Sequence, residues 1–108
     1  MYFKDLQEVE QHFGVVMVKV GWLDKGQPYT EGVAPVEFVE KMKQMPFTLF
    51  TKGFHTCPFC GNATSSCQYL IKISGKKYYD VPQMIVHYME EHNYLPPQEF
   101  MDAVMKLK

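Results

Sequence analysis

The spacing of apolar positions changes twice in the first half of the chain. From Phe3 to Phe13, Leu6, Val9 and Phe13 fall on one stripe at helical spacing and Gly14 supplies a stop, which predicts a short helix. The run Val15-Val16-Met17-Val18-Lys19-Val20 is compact and β-branched, so it predicts a strand, followed by the turn residues Asp24-Lys25-Gly26-Gln27-Pro28. Pro35 then opens a second predicted helix, with Phe38, Val39, Met42 and Met45 inward and Pro46 as its end.

The second half reads as strands leading into helices. Phe47-Thr48-Leu49-Phe50-Thr51 is a strand candidate. Cys67 to Ile73 alternates through Cys67, Tyr69, Ile71 and Ile73, and Ser74-Gly75-Lys76-Lys77 turns it into Tyr78-Tyr79, a hairpin pattern. Asp80 and Gln83 have capping-box spacing, which predicts a helix from about Val81 to His92. Asn93 and Pro96-Pro97 end it, and Gln98 to Leu107 carries a last apolar stripe through Phe100, Ala103, Val104 and Leu107. The expected fold is one small α+β domain over residues 1–108, with a short antiparallel sheet, about four helices and a finger-like hairpin-helix unit at about 54–95.

Inside that unit stand Cys57, Cys60, His87 and His92, the donor set of a closed Cys2His2 zinc site. A Cys-x2-Cys knuckle presents two thiolates from a turn, and a following helix brings two imidazoles against them. Four residues separate the histidines, within the range such sites use. Twenty-six residues separate Cys60 from His87, far more than the roughly twelve of DNA-reading fingers, so a longer hairpin is implied. His55 and Cys67 are the alternative ligands. Cys67 otherwise reads as a small buried hydrophobe on its strand, and His12 as a surface residue of the first helix.

Two catalytic patterns come near this set. Cys57-Pro58-Phe59-Cys60 resembles the glutaredoxin active-site sequence, and Asp80-Val81-Pro82 that family's proline segment, but the knuckle runs into Gly61-Asn62-Ala63-Thr64, a poor helix opening. His87-Tyr88-Met89-Glu90-Glu91-His92 approaches a metallopeptidase motif whose histidines must lie at i and i+4; here they lie at i and i+5, and two cysteines would fill the position that a hydrolytic water needs. Glu90 therefore reads as a solvated helix residue and Glu91 as a neighbour of His87. The set is expected to be structural and the protein not an enzyme.

Charge narrows the partners. Twelve acids face eleven bases for a net charge of −1, and every base is a lysine, so the arginine fork that reads guanines and phosphates is missing. Lys72, Lys76 and Lys77, with Tyr69, Tyr78 and Tyr79, are the residues left for a nucleic-acid-binding alternative. An unidentified protein partner is the favoured expectation; Trp22 and Tyr29 are candidate anchors, though such aromatics are more often core and lid residues. Val15 to Leu23, the most apolar run, is nine residues long and contains Lys19, too short to cross a bilayer. An odd cysteine count behind a charged N-terminus points to a reducing, cytoplasmic setting.

Cys57-Pro58-Phe59-Cys60-Gly61, Val81-Pro82, His87-Tyr88 and His92-Asn93-Tyr94-Leu95-Pro96-Pro97-Gln98-Glu99-Phe100 together resemble small bacterial proteins with this Cys/His pattern, a group to which no activity is attached. The resemblance covers the C-terminal half and implies a zinc-binding module. It implies nothing about a reaction.

Overall fold

The computed structural model describes residues 2–46 and 49–107, with residue 12 and residues 49–55 described by their backbone alone. Its elements run β1 (Gln7–Glu10), β2 (Val16–Lys19), α1 (Val36–Gln44), β3 (Leu49–Thr56), β4 (Thr64–Ser74), β5 (Lys77–Pro82), α2 (Ile85–Glu91) and α3 (Gln98–Met105). The strands form one sheet in the order β1-β2-β5-β4-β3. β3, β4 and β5 make an antiparallel meander, and β5 then lies parallel to β2. The sheet is therefore mixed, where a short antiparallel one was expected. A parallel pair needs a long connection, and here it is supplied by α1 and the first two strands of the meander.

The first predicted helix is not formed. Leu6 has a φ of 67°, which breaks a helix, and Gln7–Glu10 pairs as an edge strand with Lys19–Val16 of β2. Gln-Glu-Val-Glu has weak strand propensity, so its conformation comes from the hydrogen-bonding edge that β2 offers and not from its own side chains. A turn at His12–Gly14 joins the two strands, and it presents Phe13 almost fully exposed. The His12 side chain, and the Phe47 and Thr48 part of a predicted strand, lie outside the described residues; Leu49–Thr51 belongs to β3.

The later elements follow the pattern more closely. Pro35 caps α1, whose Phe38 and Met42 are buried, and the β4–β5 hairpin turns at Gly75 with a φ of 49°. α2 starts four residues later than its capping-box spacing suggests, because Val81 and Pro82 are still in β5. Asp80, the expected cap, points into the sheet instead.

One sheet face carries the core. Val18 and Val20, Tyr79 and Val81, and Tyr69 and Ile71 come from neighbouring strands and join Phe38, Met42, Ile85, Phe100 and Val104 from the three helices. Tyr79 and Phe38 both meet the Phe100 ring edge-on, at 5.0 and 5.9 Å between centroids. The Tyr69 hydroxyl donates to the Met42 carbonyl at 3.3 Å, fastening α1 to the sheet. No helix among the described residues is long and apolar enough to cross a membrane.

On the opposite face Lys19 and Asp80, side by side on β2 and β5, form a buried ion pair at 2.6 Å. The Gln68 amide donates to the other Asp80 oxygen at 2.6 Å, and the Lys19 ammonium lies 4.4 Å from the Phe3 ring centroid. Trp22 closes the site, donating its indole N–H to the Asp80 carbonyl at 2.8 Å. Removing one member strands a buried charge, whereas removing both does not. Asp80→Ala is expected to lower unfolding free energy by about 3–5 kcal/mol, and Asp80→Asn combined with Lys19→Met by clearly less. Urea denaturation tests this, and equal losses for the single and the double variant would contradict it.

Candidate metal centre

The cysteines sit on the turn between β3 and β4, while His87 lies in the first half of α2 and His92 at its C-cap. Cys57 is held by backbone on both sides: its N–H donates to Ala63 at 2.9 Å and its carbonyl accepts from Gly61 at 3.0 Å. Gly61 has a φ of 69°, the left-handed conformation that glycine adopts without Cβ strain. The turn thereby aims both sulfurs the same way, and the Asn62 N–H donates to the Cys60 sulfur at 3.4 Å. The 26 residues between Cys60 and His87 are used mostly by β4 and β5, which carry the chain out along the sheet and back to the knuckle.

Residues five apart on a helix diverge by about 140°, so the pair can meet only if the helix ends between them. It does. α2 stops at Glu91, and His92 is its C-cap with φ −128° and ψ 16°. Asn93 takes a left-handed φ of 54°, and the Tyr94 N–H reaches back to the Tyr88 carbonyl at 3.2 Å. The left-handed residue just past the C-cap is where glycine is usual, and asparagine takes that place here.

The result is a tight cluster. Cys57 Sγ lies 3.3 Å from His92 Nε2, Cys60 Sγ 3.4 Å from His87 Nε2, and the two Nε2 atoms are 3.3 Å apart. All four donor atoms fall within 4.8 Å of one another. Ordinary zinc bond lengths in a tetrahedron put two nitrogens about 3.3 Å apart, nitrogen and sulfur about 3.6 Å, and two sulfurs about 3.8 Å. The donor set thus fits one tetrahedral ion. With two thiolates and two neutral imidazoles, the charge of a dication would be cancelled.

Burial is unequal: Cys57 is 2% exposed, Cys60 is exposed and both histidines are half-buried. A cavity of about 570 Å³ opens beside Cys60 and His87, between β4 and α2, with Lys43, Gln83 and Glu90 on its walls. Cys67 lies outside the cluster, half-buried on β4 opposite Phe50, and the His55 side chain lies outside the described residues. Glu90 is exposed, as its helix position implied, and pairs with Lys43 at 2.7 Å. That hydrogen bond is the main cause raising the Lys43 pKa. Glu91 is also exposed and makes no hydrogen bond to His87 among the described residues.

Several residues that position the histidines were not singled out by sequence. Phe59, between the two cysteines, stacks within 5.1 Å of the His92 ring and within 5.8 Å of Tyr88. Tyr29 donates its hydroxyl to the His92 carbonyl at 2.9 Å and packs on Phe59. Trp22 is buried and Tyr29 half-buried, and both bond within the fold as core and lid residues do. Tyr94 is fully buried and donates to Asp5 at 2.8 Å, while the second Asp5 oxygen accepts from the Gly21 N–H at 3.1 Å. Gly21 in turn lies under Ile85, the first residue of α2, where a Cβ would come within 3.1 Å of that side chain. Burial pushes the Tyr88 and Tyr94 phenols well above their ordinary range. Only the placement of an aromatic within the knuckle could have flagged Phe59 in advance; Asp5 carries no local signal.

A family model described as Domain of unknown function (DUF7919) matches residues 1–105. The chain belongs to that family. The match takes in the N-terminal half, which the Cys/His resemblance did not reach and which supplies Asp5, Gly21 and Tyr29 to the site. No match is found among curated proteins or solved structures.

Asp5 generates a test of this positioning network. Burial is the largest influence on its carboxyl and raises it above 3.8, outweighing the hydrogen bonds from Gly21 and Tyr94. Because the folded value exceeds the unfolded one, the folded chain binds more protons just above pH 3.8, and this group's contribution to stability falls as pH rises through that window. In Asp5→Asn that dependence disappears, so the variant should gain on wild type as pH rises from about 4. Paired denaturation curves across the acid range check this; a difference independent of pH would contradict it.

Proposed function

We propose that this protein is a structural zinc module serving protein interaction or regulation, with Cys57, Cys60, His87 and His92 as ligands. The observation that carries the reading is the convergence of the four donors, with His87–His92, Cys57–His92 and Cys60–His87 near tetrahedral-edge lengths, at a helix end that stops to bring its second histidine in. Two thiolates favour zinc among the common divalent ions, and four protein donors leave no position for a substrate or a hydrolytic water. The ion would then fasten the knuckle to α2, not carry a reaction.

The alternative of nucleic-acid binding finds little support in side-chain placement. Tyr69 and Tyr79 are buried in the core, Lys76 is bonded to the Phe13 carbonyl at 2.9 Å, and Lys77 faces Glu8 at 3.3 Å. Few groups of that hairpin remain for phosphates or base stacking.

The purified protein should hold one zinc per chain, measured by elemental analysis together with thiol titration. Cys57→Ser and His92→Ala should each lose stoichiometric zinc. With free zinc about a thousandfold above its Kd, the ion should add about 4 kcal/mol to unfolding free energy, and a chelator should remove that increment. A folded protein without zinc, indifferent to chelation, would overturn the reading.

A further inference from the structure

We propose that Cys60 is a modification site for hydroperoxides, and that its oxidation closes a Cys57–Cys60 disulfide and expels the ion. This rests on the zinc reading above and adds a direction of attack to it.

The two sulfurs are chemically alike and sterically opposite. Cys57 is 2% exposed and belongs to the hydrophobic core, whereas Cys60 is exposed and forms part of the cavity wall. The thiolate that binds a metal is also the nucleophilic form of cysteine, and of the two sulfurs that of Cys60 is the open one. The cavity, at about 570 Å³, admits an alkyl hydroperoxide as readily as hydrogen peroxide. Lys43, Asn62 and Gln83, which carry hydrogen-bond donors, are among the residues that line it.

The Cys60 thiolate attacks one peroxide oxygen; the S–O bond forms and the O–O bond breaks. The departing oxygen leaves as hydroxide or alkoxide and takes a proton from water. The resulting sulfenic acid faces a second thiolate, because Cys57 Sγ lies within the same 4.8 Å cluster. Cys57 attacks the Cys60 sulfur, the S–S bond forms at about 2 Å, and hydroxide leaves to be protonated by solvent. Two electrons, one from each cysteine, reduce the peroxide to water and water or alcohol. Zinc keeps its oxidation state, and two histidines alone do not retain it. A thiol reductant reverses the change.

Cys67 is the internal control, since it is a third thiol outside the cluster. The experiment uses zinc-loaded full-length protein and its Cys67→Ser variant, treated with one equivalent of hydrogen peroxide. A chromogenic chelator reports zinc, and peptide mass mapping reports the bonded cysteines. Both proteins should release zinc in step with peroxide and form the Cys57–Cys60 disulfide, with reloading after dithiothreitol and zinc. In a parallel reaction, limiting iodoacetamide should label Cys60 about tenfold faster than Cys57. Retention of zinc while Cys67 alone is oxidised, or labelling of Cys57 at an equal or greater rate, would overturn the proposal and leave the zinc reading standing. Protein that holds no zinc before treatment would overturn both.

Discussion

On a continuous α-helix His87 and His92 would face directions about 140° apart, so the site depends on where α2 stops. One further helical residue would carry the His92 imidazole away from the knuckle. The backbone settles this at Asn93, whose left-handed conformation lets the chain reverse and lets Tyr94 close on the Tyr88 carbonyl. Asparagine tolerates that region better than most residues. The chemistry at the cluster is therefore a consequence of a helix ending.

A helix end is a soft element unless something holds it, and here the holders come from distant sequence. The segment around Tyr29 runs beside the chain that leaves α2: Gly32 donates to the Asn93 carbonyl at 2.8 Å and Leu95 to the Thr30 carbonyl at 2.9 Å. Tyr29 adds its hydroxyl to the His92 carbonyl, and Asp5 fixes Tyr94 from the N-terminal segment. Phe59 fills the space between knuckle and helix, touching Tyr29, Tyr88 and His92 with one ring. The Cys/His cluster is thus a property of the whole chain, consistent with a family match over residues 1–105. A hairpin-helix unit at 54–95 alone would lack these restraints.

This explains which features could be read from sequence. The four donors are recognisable because metal chemistry restricts both residue type and local spacing, and α1 and the β4–β5 hairpin because their apolar periods match their surroundings. The edge strand β1 was not legible. The Leu6, Val9 and Phe13 stripe around it suits a helix, and only the open edge of β2, just across the short connection from Glu10 to Val16, makes it a strand. Asp80 failed for a related reason. Its spacing to Gln83 imitates a cap, but Lys19 and Gln68 compete for the carboxylate from strands whose neighbours no local window contains. Strand pairing overrides the local signal at both places, from the next strand at β1 and from more distant ones at Asp80.

The same architecture limits how much of the fold an ion can govern. Zinc fingers that lack a core of their own are unfolded without metal. Here the most buried side chains, among them Val20, Val81, Phe38, Phe100 and Val104, pack sheet against helices, and only Cys57 of the four donors belongs to that cluster. The Lys19–Asp80 pair on the opposite face is likewise independent of the knuckle. Loss of an ion bound there would therefore be felt first where the four donors are the main tie: the turn at residues 57–61 and the last turn of α2. The core beneath them keeps its own reasons to stay folded. A centre arranged in this way tightens one corner of a domain, and a reagent that reaches its exposed sulfur acts on that corner before it acts on the whole.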